Sequence, residues 1–368
     1  MKLKRVLKWS AGVILLALVV WLFVAYWIST NDCNRNSATP SNPMKAIVNC
    51  EYGVENLQLR ELEKPTSNDN EVLVRVRAAS INPADGHLIR GAWPMRPITG
   101  MRKPTNIRFG TDFAGVVEAV GKNVTNFKPG DEVFGAKNGA VADYICVKAD
   151  RGIVTKPGNV TFEQAGSVAI AGLTALQGLR DKGHIQAGQK VLINGASGGV
   201  GTFAVQIAKA FGAEVTGVCS TRNVDLVKSI GADRVIDYTK EDFTKTDQRY
   251  DLIFDLVGNH SFSERRNVLT SNGICVLGGI GGAGFHPGMW GRVLGNFKAA
   301  FQSKFTGQKF VTYIAKLTKD DLTALRELME AGKVTPVIDR TYKIGETQAA
   351  VRYLEEGHAH GKVVVTVP

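Results

Sequence analysis

One glycine-rich turn constrains this chain more than any other feature of its sequence. The strand-like run Lys190–Asn194 leads directly into glycines at positions 195, 198 and 201, and Thr202–Phe211 continues with apolar residues at helical spacing. A strand that turns into a helix through this spacing is typical of a turn that binds phosphate. The glycines permit a tight turn, close approach of a pyrophosphate and close packing of the helix, whose N-terminus attracts anions. The alternative interpretation is a glycine-rich turn that binds nothing.

The strand after this turn indicates which dinucleotide it would hold. The residues expected to form the turn and bind the cofactor are Gly195, Ala196, Ser197, Gly198, Gly199, Val200 and Gly201. An NAD enzyme usually carries Asp or Glu at the end of the next strand, here Glu214–Cys219, to bind the ribose hydroxyl. Ser220, Thr221 and Arg222 follow instead, and an arginine can bind a 2′-phosphate. The pattern predicts NADP(H), unless Arg222 is only a solvated residue at a helix start.

Strand-like and helical runs alternate through the second half of the chain. The strand-like runs that continue the series are Arg234–Tyr238, Asp251–Val257 and Ile274–Leu277. This alternation predicts a parallel, doubly wound sheet. The preceding segment, about 44–160, is instead rich in strands and turns, and Glu71–Arg77 alternates with period two. The chain closes with a helix predicted over Leu317–Ala331, capped by Thr318, and a terminal strand over Lys362–Pro368.

Composition and cysteine use argue against a nucleic-acid-binding protein, a zinc site and a disulfide-bonded protein. The 368 residues carry a net charge of +11, but no basic run with interleaved aromatics that would indicate nucleic-acid binding. The five cysteines form no CxxC pair, and no histidine cluster supplies a zinc-ligand pattern. Cys146, Cys219 and Cys275 lie in apolar runs. We interpret the cysteines as free thiols of a reducing compartment rather than as disulfides.

The N-terminal segment is uncharged from Trp9 to Thr30. A helix of this length spans ~33 Å, which is enough for a bilayer core, and predicts a single-pass membrane anchor at about 9–30. The alternative is a cleavable signal peptide. The basic residues before the segment put the body on the far side of the membrane from the cytosol, which conflicts with free thiols and with NADPH. The side of the catalytic body therefore stays open, and residues 31–43 are predicted to be a linker.

Several further motifs occur in a fixed order along the body. They are Ile81–Asp85, Gly110–Gly121, Lys128–Phe134 and Ala171–Ala175, followed by the glycine-rich turn. In these motifs the chain, from about Met44 to Val367, resembles the medium-chain dehydrogenase/reductase superfamily, in particular its zinc-independent, quinone-oxidoreductase-like branch. The resemblance implies an α/β fold with a GroES-like β-rich catalytic domain and a Rossmann domain, preceded here by the transmembrane helix. The expected domains are an anchor and linker at 1–43, the catalytic domain at 44–160, the NADP-binding domain at 161–315 and a return to the catalytic domain at 316–368.

The resemblance also identifies a candidate catalytic site. Zinc members of the superfamily hold a metal with Cys, His and Cys, and the matching positions here are Asn82, Thr111 and Ala171, so we expect no metal. The implied chemistry is hydride transfer from NADPH to a quinone or an α,β-unsaturated carbonyl. Asn82 is the candidate donor to the substrate carbonyl, or else a structural turn residue. His87 is the candidate proton donor, or else a surface or ribose contact, and Thr174 is implied to lie beside the nicotinamide amide.

Other residues are implied to contact the cofactor, unless turn geometry alone explains them. They are Tyr238, Val257, Gly258, Gly278, Gly279 and Lys362. The unusual stretch Gly278–Gly295 is interpreted as a mobile lid or a membrane-facing loop. The expected partners are a small hydrophobic carbonyl or quinone substrate, and a second copy of the chain docked near Phe310–Ile314. Two alternatives stay open: a reductase of a lipid-derived aldehyde or enoyl thioester, and a membrane-anchored NADPH-binding scaffold or sensor with little turnover.

Overall fold

The computed structural model describes residues 39–91, 96–278 and 307–368, with isolated positions between 16 and 33 and at 295 and 303. Across these described residues, no helix combines the length and apolar character that a membrane crossing requires. Of the expected anchor at 9–30, only isolated positions between Leu16 and Trp27 are described, and these are helical. The predicted transmembrane helix and single-pass localisation are therefore wrong. The rest of 9–30 lies outside the described residues.

The described regular elements fall into two bodies. The strands are β1 (Pro43–Asn49), β2 (Leu57–Glu63), β3 (Glu71–Ile81), β4 (Asp112–Val120), β5 (Glu132–Ala136), β6 (Tyr144–Lys148), β7 (Ile153–Thr155), β8 (Lys190–Asn194), β9 (Glu214–Cys219), β10 (Arg234–Asp237), β11 (Tyr250–Asp255), β12 (Leu269–Leu277), β13 (Lys309–Thr312), β14 (Ile338–Lys343) and β15 (Lys362–Thr366). The α-helices are α1 (Pro83–Arg90), α2 (Arg96–Thr99), α3 (Phe162–Ala165), α4 (Ala169–Gln177), α5 (Gly199–Ala210), α6 (Val224–Ser229), α7 (Phe262–Asn267), α8 (Lys319–Glu330) and α9 (Thr347–Glu355).

The β-rich body is built around the long strand β3. In the seven-stranded sheet the order is β14-β15-β3-β4-β5-β7, and β6 also pairs with β3. Val72, Val74 and Val76 of β3 are fully buried, as the period-two alternation of the strand requires when one face covers a core. The C-terminal strand β15 pairs antiparallel with β3, with Val363 opposite Ile81. The end of the chain therefore returns to the first body, beside the start of α1.

The second body is the predicted parallel, doubly wound sheet. Its described strands follow the order β10-β9-β8-β11-β12-β13, and every neighbouring pair is parallel. The chain leaves β8 towards β9 and later returns on the other side at β11. Ligands of open α/β sheets bind outside the carboxyl ends of the strands where the order reverses in this way. β13 lies at the edge of the sheet, and the dimer expected there stays a prediction.

The cysteines differ in part from the sequence interpretation. Cys33 and Cys50 form a disulfide with their Cα atoms 5.8 Å apart. Cys146, Cys219 and Cys275 are free thiols. The expectation of free thiols is therefore wrong for the first pair. Sequence spacing could not reveal it, because the contact depends on where the chain before β1 lies in space.

Candidate active site

The glycine-rich turn joins β8 to α5, and residues 195–201, the last three of which begin α5, are named here the phosphate turn. Gly195 adopts a φ of +89°, which favours glycine. A Cβ on Gly201 would overlap the carbonyl oxygen of Gly195 and approach the Ala196 carbonyl carbon to 2.8 Å, so glycine alone permits this close packing of α5. A Cβ on Gly198 would meet only the Gly195 oxygen, at 3.5 Å. Open space therefore lies in front of Gly198, as approach of a pyrophosphate requires.

Two neighbouring segments brace the phosphate turn. The Asn223 side chain donates from Nδ2 to the Ser197 Oγ at 3.0 Å. On the other side, the backbone N–H of Gly361 donates to the Ser197 carbonyl oxygen at 2.9 Å. Gly361 immediately precedes β15, so the turn is joined directly to the strand that returns to the β-rich body.

The residues predicted to select NADP(H) lie together at the ends of β9 and β10. Ser220 directly precedes a short helical turn that contains Thr221 and Arg222. Arg222 is exposed, and its Nη2 donates to the His358 carbonyl oxygen at 3.2 Å. Tyr238, one residue beyond β10, is 62% exposed. An exposed guanidinium and phenol at this edge can meet an anionic group from solvent.

An acid that the sequence analysis overlooked lies beside this cluster. Asp237 ends β10 directly opposite Cys219 of β9. Its carboxylate accepts hydrogen bonds from Thr221 at 2.6 Å and from the Thr239 hydroxyl at 2.7 Å, and these bonds lower the pKa of Asp237. Lys240 lies 3.3 Å from the same carboxylate. The charge of Asp237 is thus already engaged within the protein.

A second overlooked carboxylate shapes the loop after β11. Asp255 Oδ1 accepts from the backbone N–H groups of Val257 and Gly258, at 3.1 and 2.9 Å. Its Oδ2 forms a buried ion pair with Arg265 of α7 at 2.8 Å. Gly278 is joined to the same strand through its N–H, which donates to the Asp255 carbonyl oxygen at 2.9 Å. Three predicted cofactor contacts are therefore organised around one buried aspartate.

Some predicted residues fall outside the described part of the chain. Gly279 is one of them, and only the two end residues of the glycine-rich stretch Gly278–Gly295, which was interpreted as a mobile lid or a membrane-facing loop, are described.

Two of the three positions that the resemblance matches to zinc ligands, Asn82 and Thr111, belong to a hydrogen-bonded polar cluster. Its members, named here the Asn82 cluster, are Ser80, Asn82, Asp85, Thr111, Asp112 and Lys362. Asn82 is only 4% exposed and donates from Nδ2 to Asp112 Oδ2 at 3.1 Å. Ser80 donates to the same Asp112 oxygen, while the Ile170 N–H donates to Asp112 Oδ1 at 2.9 Å.

Lys362 completes the cluster from β15, the C-terminal strand of the β-rich body. Its ammonium donates to Asn82 Oδ1 at 2.6 Å and lies 3.3 Å from Asp112 Oδ2. The side chain is almost fully buried, so its charge is balanced by Asp112 rather than by solvent. The sequence analysis assigned Lys362 to the cofactor and gave no role to Asp85 or Asp112. The pairing of Lys362 with Asn82 had no signal in the sequence, because the two are 280 positions apart.

Asp85 supports Asn82 from the first turn of α1. Its Oδ2 accepts from the Asn82 backbone N–H at 2.8 Å, as the N3 residue of a capping box does. Its Oδ1 accepts from the Thr111 hydroxyl at 2.9 Å. The pKa of Asp85 is raised to about 6, chiefly by burial and also by the nearby charge of Asp112, while these hydrogen bonds lower it. The backbone at Asn82 is thus fixed independently of its side chain.

The other two predicted catalytic residues lie outside these hydrogen bonds. His87 is on α1, two positions after Asp85, and is half-buried. The Thr174 hydroxyl donates to the Ile170 carbonyl oxygen of its own helix, α4, at 2.7 Å, and the Thr174 carbonyl oxygen accepts from the Tyr313 hydroxyl. The Thr174 hydroxyl retains lone pairs with which it can accept a hydrogen bond. The roles predicted for both side chains stay predictions.

Metal-ligating side chains do not gather in the described ranges. No group of three or more His, Cys, Asp or Glu among these residues has an arrangement that could hold a metal ion. At the zinc-ligand positions, Asn82 and Thr111 offer neutral oxygens, and Ala171 offers none. Zinc in such sites takes thiolate, imidazole and carboxylate ligands, so the residue types at these positions do not suit it.

Comparison with known proteins gives one consistent family. Residues 68–158 match the alcohol dehydrogenase GroES-like domain family, and residues 230–365 match the zinc-binding dehydrogenase family. The chain is similar to the mitochondrial NAD(P)H oxidoreductase RTN4IP1 of Mus musculus, with 33% identity, 89% of this chain and 90% of that protein covered. It is also similar to the trans-enoyl reductase pgmF of Aspergillus terreus, with 35% identity over 81% of this chain and 86% of that protein.

A solved structure agrees with the same assignment. The quinone oxidoreductase from Coxiella burnetii superimposes with a TM-score of 0.75 at 30% identity, covering 89% of this chain and all of that one. The phosphate turn, the reversal of strand order beside it and the return of β15 to the β-rich body all fit this relationship. The chain therefore belongs to the medium-chain dehydrogenase/reductase superfamily, in its quinone-oxidoreductase-like branch, and is an oxidoreductase that uses a nicotinamide cofactor.

Proposed function

We propose that this protein is an NADPH-dependent, metal-independent reductase of quinones or α,β-unsaturated carbonyl compounds. The observation that carries the proposal is a continuous path of bonded residues from the phosphate turn to the Asn82 cluster. Ser197 of the turn is bonded to Gly361, and the next residue, Lys362, is bonded to Asn82. The cofactor's phosphates and the reacting carbonyl would thus be held by one connected framework. When bound, NADPH supplies the hydride.

The choice of NADPH rests on the charge at the ends of β9 and β10. Arg222 is exposed there and presents a guanidinium, and Ser220, which directly precedes the same turn, carries a hydroxyl. Asp237 would repel a 2′-phosphate, but its carboxylate is already bonded to Thr221 and paired with Lys240. An arginine fork recognises a phosphate through paired charge-assisted hydrogen bonds. The available positive charge of Arg222 and the engaged charge of Asp237 therefore favour NADPH over NADH.

The acceptor class follows from the residue types in the Asn82 cluster. No side chain at positions 82, 111 or 171 is suited to zinc, so the substrate carbonyl would be polarised by hydrogen bonding instead. Asn82 holds one amide hydrogen on Asp112 and has a second to donate. A single neutral donor suits an acceptor that delocalises the incoming charge itself, as a quinone or enone does. His87 or water would then supply the proton.

A second candidate, reduction of an enoyl thioester, is favoured by one observation. One protein that resembles this chain is named a trans-enoyl reductase, and an enoyl group carries a double bond conjugated to a carbonyl. An enoyl thioester also accepts hydride at a carbon conjugated to a carbonyl, so the same amide donor would serve it.

The test is a rate comparison on the full chain. NADPH oxidation would be followed with a series of quinones, 2-alkenals and enoyl thioesters, each at matched concentration. We expect the quinones and 2-alkenals to turn over fastest and Asn82→Ala to lose about 100-fold in kcat on them. The highest kcat/KM on the thioester would transfer the proposal to the second candidate. Tight NADPH binding without turnover on any acceptor would overturn it in favour of an NADPH-binding scaffold or sensor.

A further inference from the structure

The path of the Lys362 side chain separates its charge from the phosphate turn. A Cβ on Gly199 would lie 3.1 Å from the Lys362 Cδ, so the aliphatic part of the lysine runs along the start of α5. The ammonium continues past it to Asn82 and Asp112. Lys362 is only 3% exposed, and its ammonium lies within the Asn82 cluster. This arrangement differs from a direct contact with the cofactor, which the family resemblance implied.

The ammonium determines which way the Asn82 amide faces. An asparagine side chain has one acceptor oxygen and one nitrogen with two hydrogens. In the observed orientation Oδ1 meets the Lys362 ammonium and Nδ2 meets the Asp112 carboxylate. Rotation by half a turn would set the nitrogen against the ammonium and the oxygen against the carboxylate, which places like groups together on both sides. Such a mismatch of buried polar groups costs about 1–3 kcal/mol for each lost partner.

The same contact strengthens the amide as a donor. The positive Lys362 ammonium beside Asn82 Oδ1 withdraws electron density from the amide. Hydrogen bonds in a connected chain also polarise one another. Asp112 takes one Nδ2 hydrogen, which leaves one for a substrate oxygen. Asp112 and Asp85 are the acidic groups around the ammonium, and Asp112 is the one in ion-pair contact.

We propose that Lys362 is a positioning residue that locks the Asn82 amide, so that its remaining N–H faces the acceptor's carbonyl oxygen as hydride arrives. This inference rests on the proposed reductase function. Like a metal ion, Lys362 supplies a positive charge near the substrate carbonyl. Unlike a metal ion, it does not contact the substrate and polarises it only through the Asn82 amide. β15 thereby couples the cofactor-binding body to the chemistry of the β-rich body.

The test combines single and double variants measured with NADPH and the best quinone or enone. Lys362→Gln is expected to lower kcat at least tenfold, with little change in the NADPH dissociation constant, and Asn82→Asp to lower it about 100-fold. Asn82→Asp keeps an oxygen for the ammonium but loses the donor. Lys333→Gln, which replaces an exposed lysine, is the matched control and should leave kcat unchanged.

Combining substitutions at positions 82 and 362 distinguishes a positioning role of Lys362 from a general structural effect. In an Asn82→Ala background, Lys362→Gln should cost almost nothing further in kcat, because the lysine acts through the missing amide. Added ethylammonium should restore part of the kcat of Lys362→Ala, but none in the double variant Asn82→Ala/Lys362→Ala. Additive losses, or a raised NADPH dissociation constant at unchanged kcat, would overturn the proposal.

A readout independent of turnover keeps the two proposals distinguishable. In the full chain labelled at asparagine, the Asn82 side-chain amide would be identified in heteronuclear NMR spectra by its absence in Asn82→Asp. We expect slow hydrogen exchange at this amide in the wild type and clearly faster exchange in Lys362→Gln. Equal exchange rates would refute the lock even in an active enzyme. Slow exchange in a protein that reduces no acceptor would retain the lock and reject the reductase function.

Discussion

Alanine at two glycines of the phosphate turn should separate cofactor binding from folding. Gly198 has φ −77°, which alanine adopts easily, and a Cβ there would make only an ordinary contact with Gly195. Gly198→Ala should therefore leave the free energy of unfolding within about 1 kcal/mol of wild type. The new methyl would project into the open space where the pyrophosphate must approach. We expect the NADPH dissociation constant to rise at least tenfold, about 1.4 kcal/mol.

Gly201→Ala should instead lower the stability of the fold. Its Cβ would overlap the backbone of Gly195 and Ala196, with the Ala196 carbonyl carbon at 2.8 Å, and neither backbone segment can rotate away as a side chain would. Relief requires α5 to move away from the turn. Overpacking of this kind costs about 1–3 kcal/mol, and we expect a correspondingly lower melting temperature.

The assay pairs thermal unfolding with NADPH binding by fluorescence titration for both variants. Gly158→Ala, at an exposed position where a Cβ meets no atom within 4 Å, is the matched control for the substitution itself. Unchanged NADPH affinity in Gly198→Ala would refute the assignment of this turn to the pyrophosphate. A Gly201→Ala variant as stable as wild type would refute the packing argument.

Three further outcomes follow from single contacts. Arg222→Ala should lower the preference for NADPH over NADH about tenfold or more in kcat/KM, because a charge-assisted contact to the 2′-phosphate is lost; an unchanged ratio would exclude this role. Breaking the Cys33–Cys50 disulfide by Cys33→Ser should lower the free energy of unfolding by about 3 kcal/mol, and non-reducing peptide mapping of the wild type should recover the bond. Burial raises the pKa of Asp85 to about 6, so the folded protein holds this proton more tightly than the unfolded chain. The stabilisation is complete below about pH 4 and lost as pH rises through about 6, so urea unfolding across that range should show a weaker decline for Asp85→Asn.

The sequence predicted the architecture well because local patterns carry it. The strand before the phosphate turn was placed at Lys190–Asn194, as observed, and α5 begins at Gly199, three residues before its predicted start. Thr318 caps α8 as expected, through a hydrogen bond from the Asp321 N–H to its side chain. These features depend on turn chemistry and periodicity within about ten residues, which a single sequence displays.

The errors concern features that depend on distant partners. The membrane anchor was inferred from apolar composition alone, and the Cys33–Cys50 bond depends on a contact that no spacing rule anticipates. Within the site, Asn82 was singled out by its motif, but its partner Lys362 arrives on the last strand. The ion pair of Asp255 with Arg265 was likewise not predicted, because an arginine on a short helix is expected at the surface from sequence alone.

The most direct test of the central claim is a single turnover with NADPH deuterated at the transferable position, after dialysis of the protein against a chelator. The account predicts deuterium on the β-carbon of an enone, a primary isotope effect on the hydride step, and full activity at a metal content far below one ion per chain. An activity lost on dialysis and restored by zinc, or an enone reduced without gaining deuterium, would contradict it.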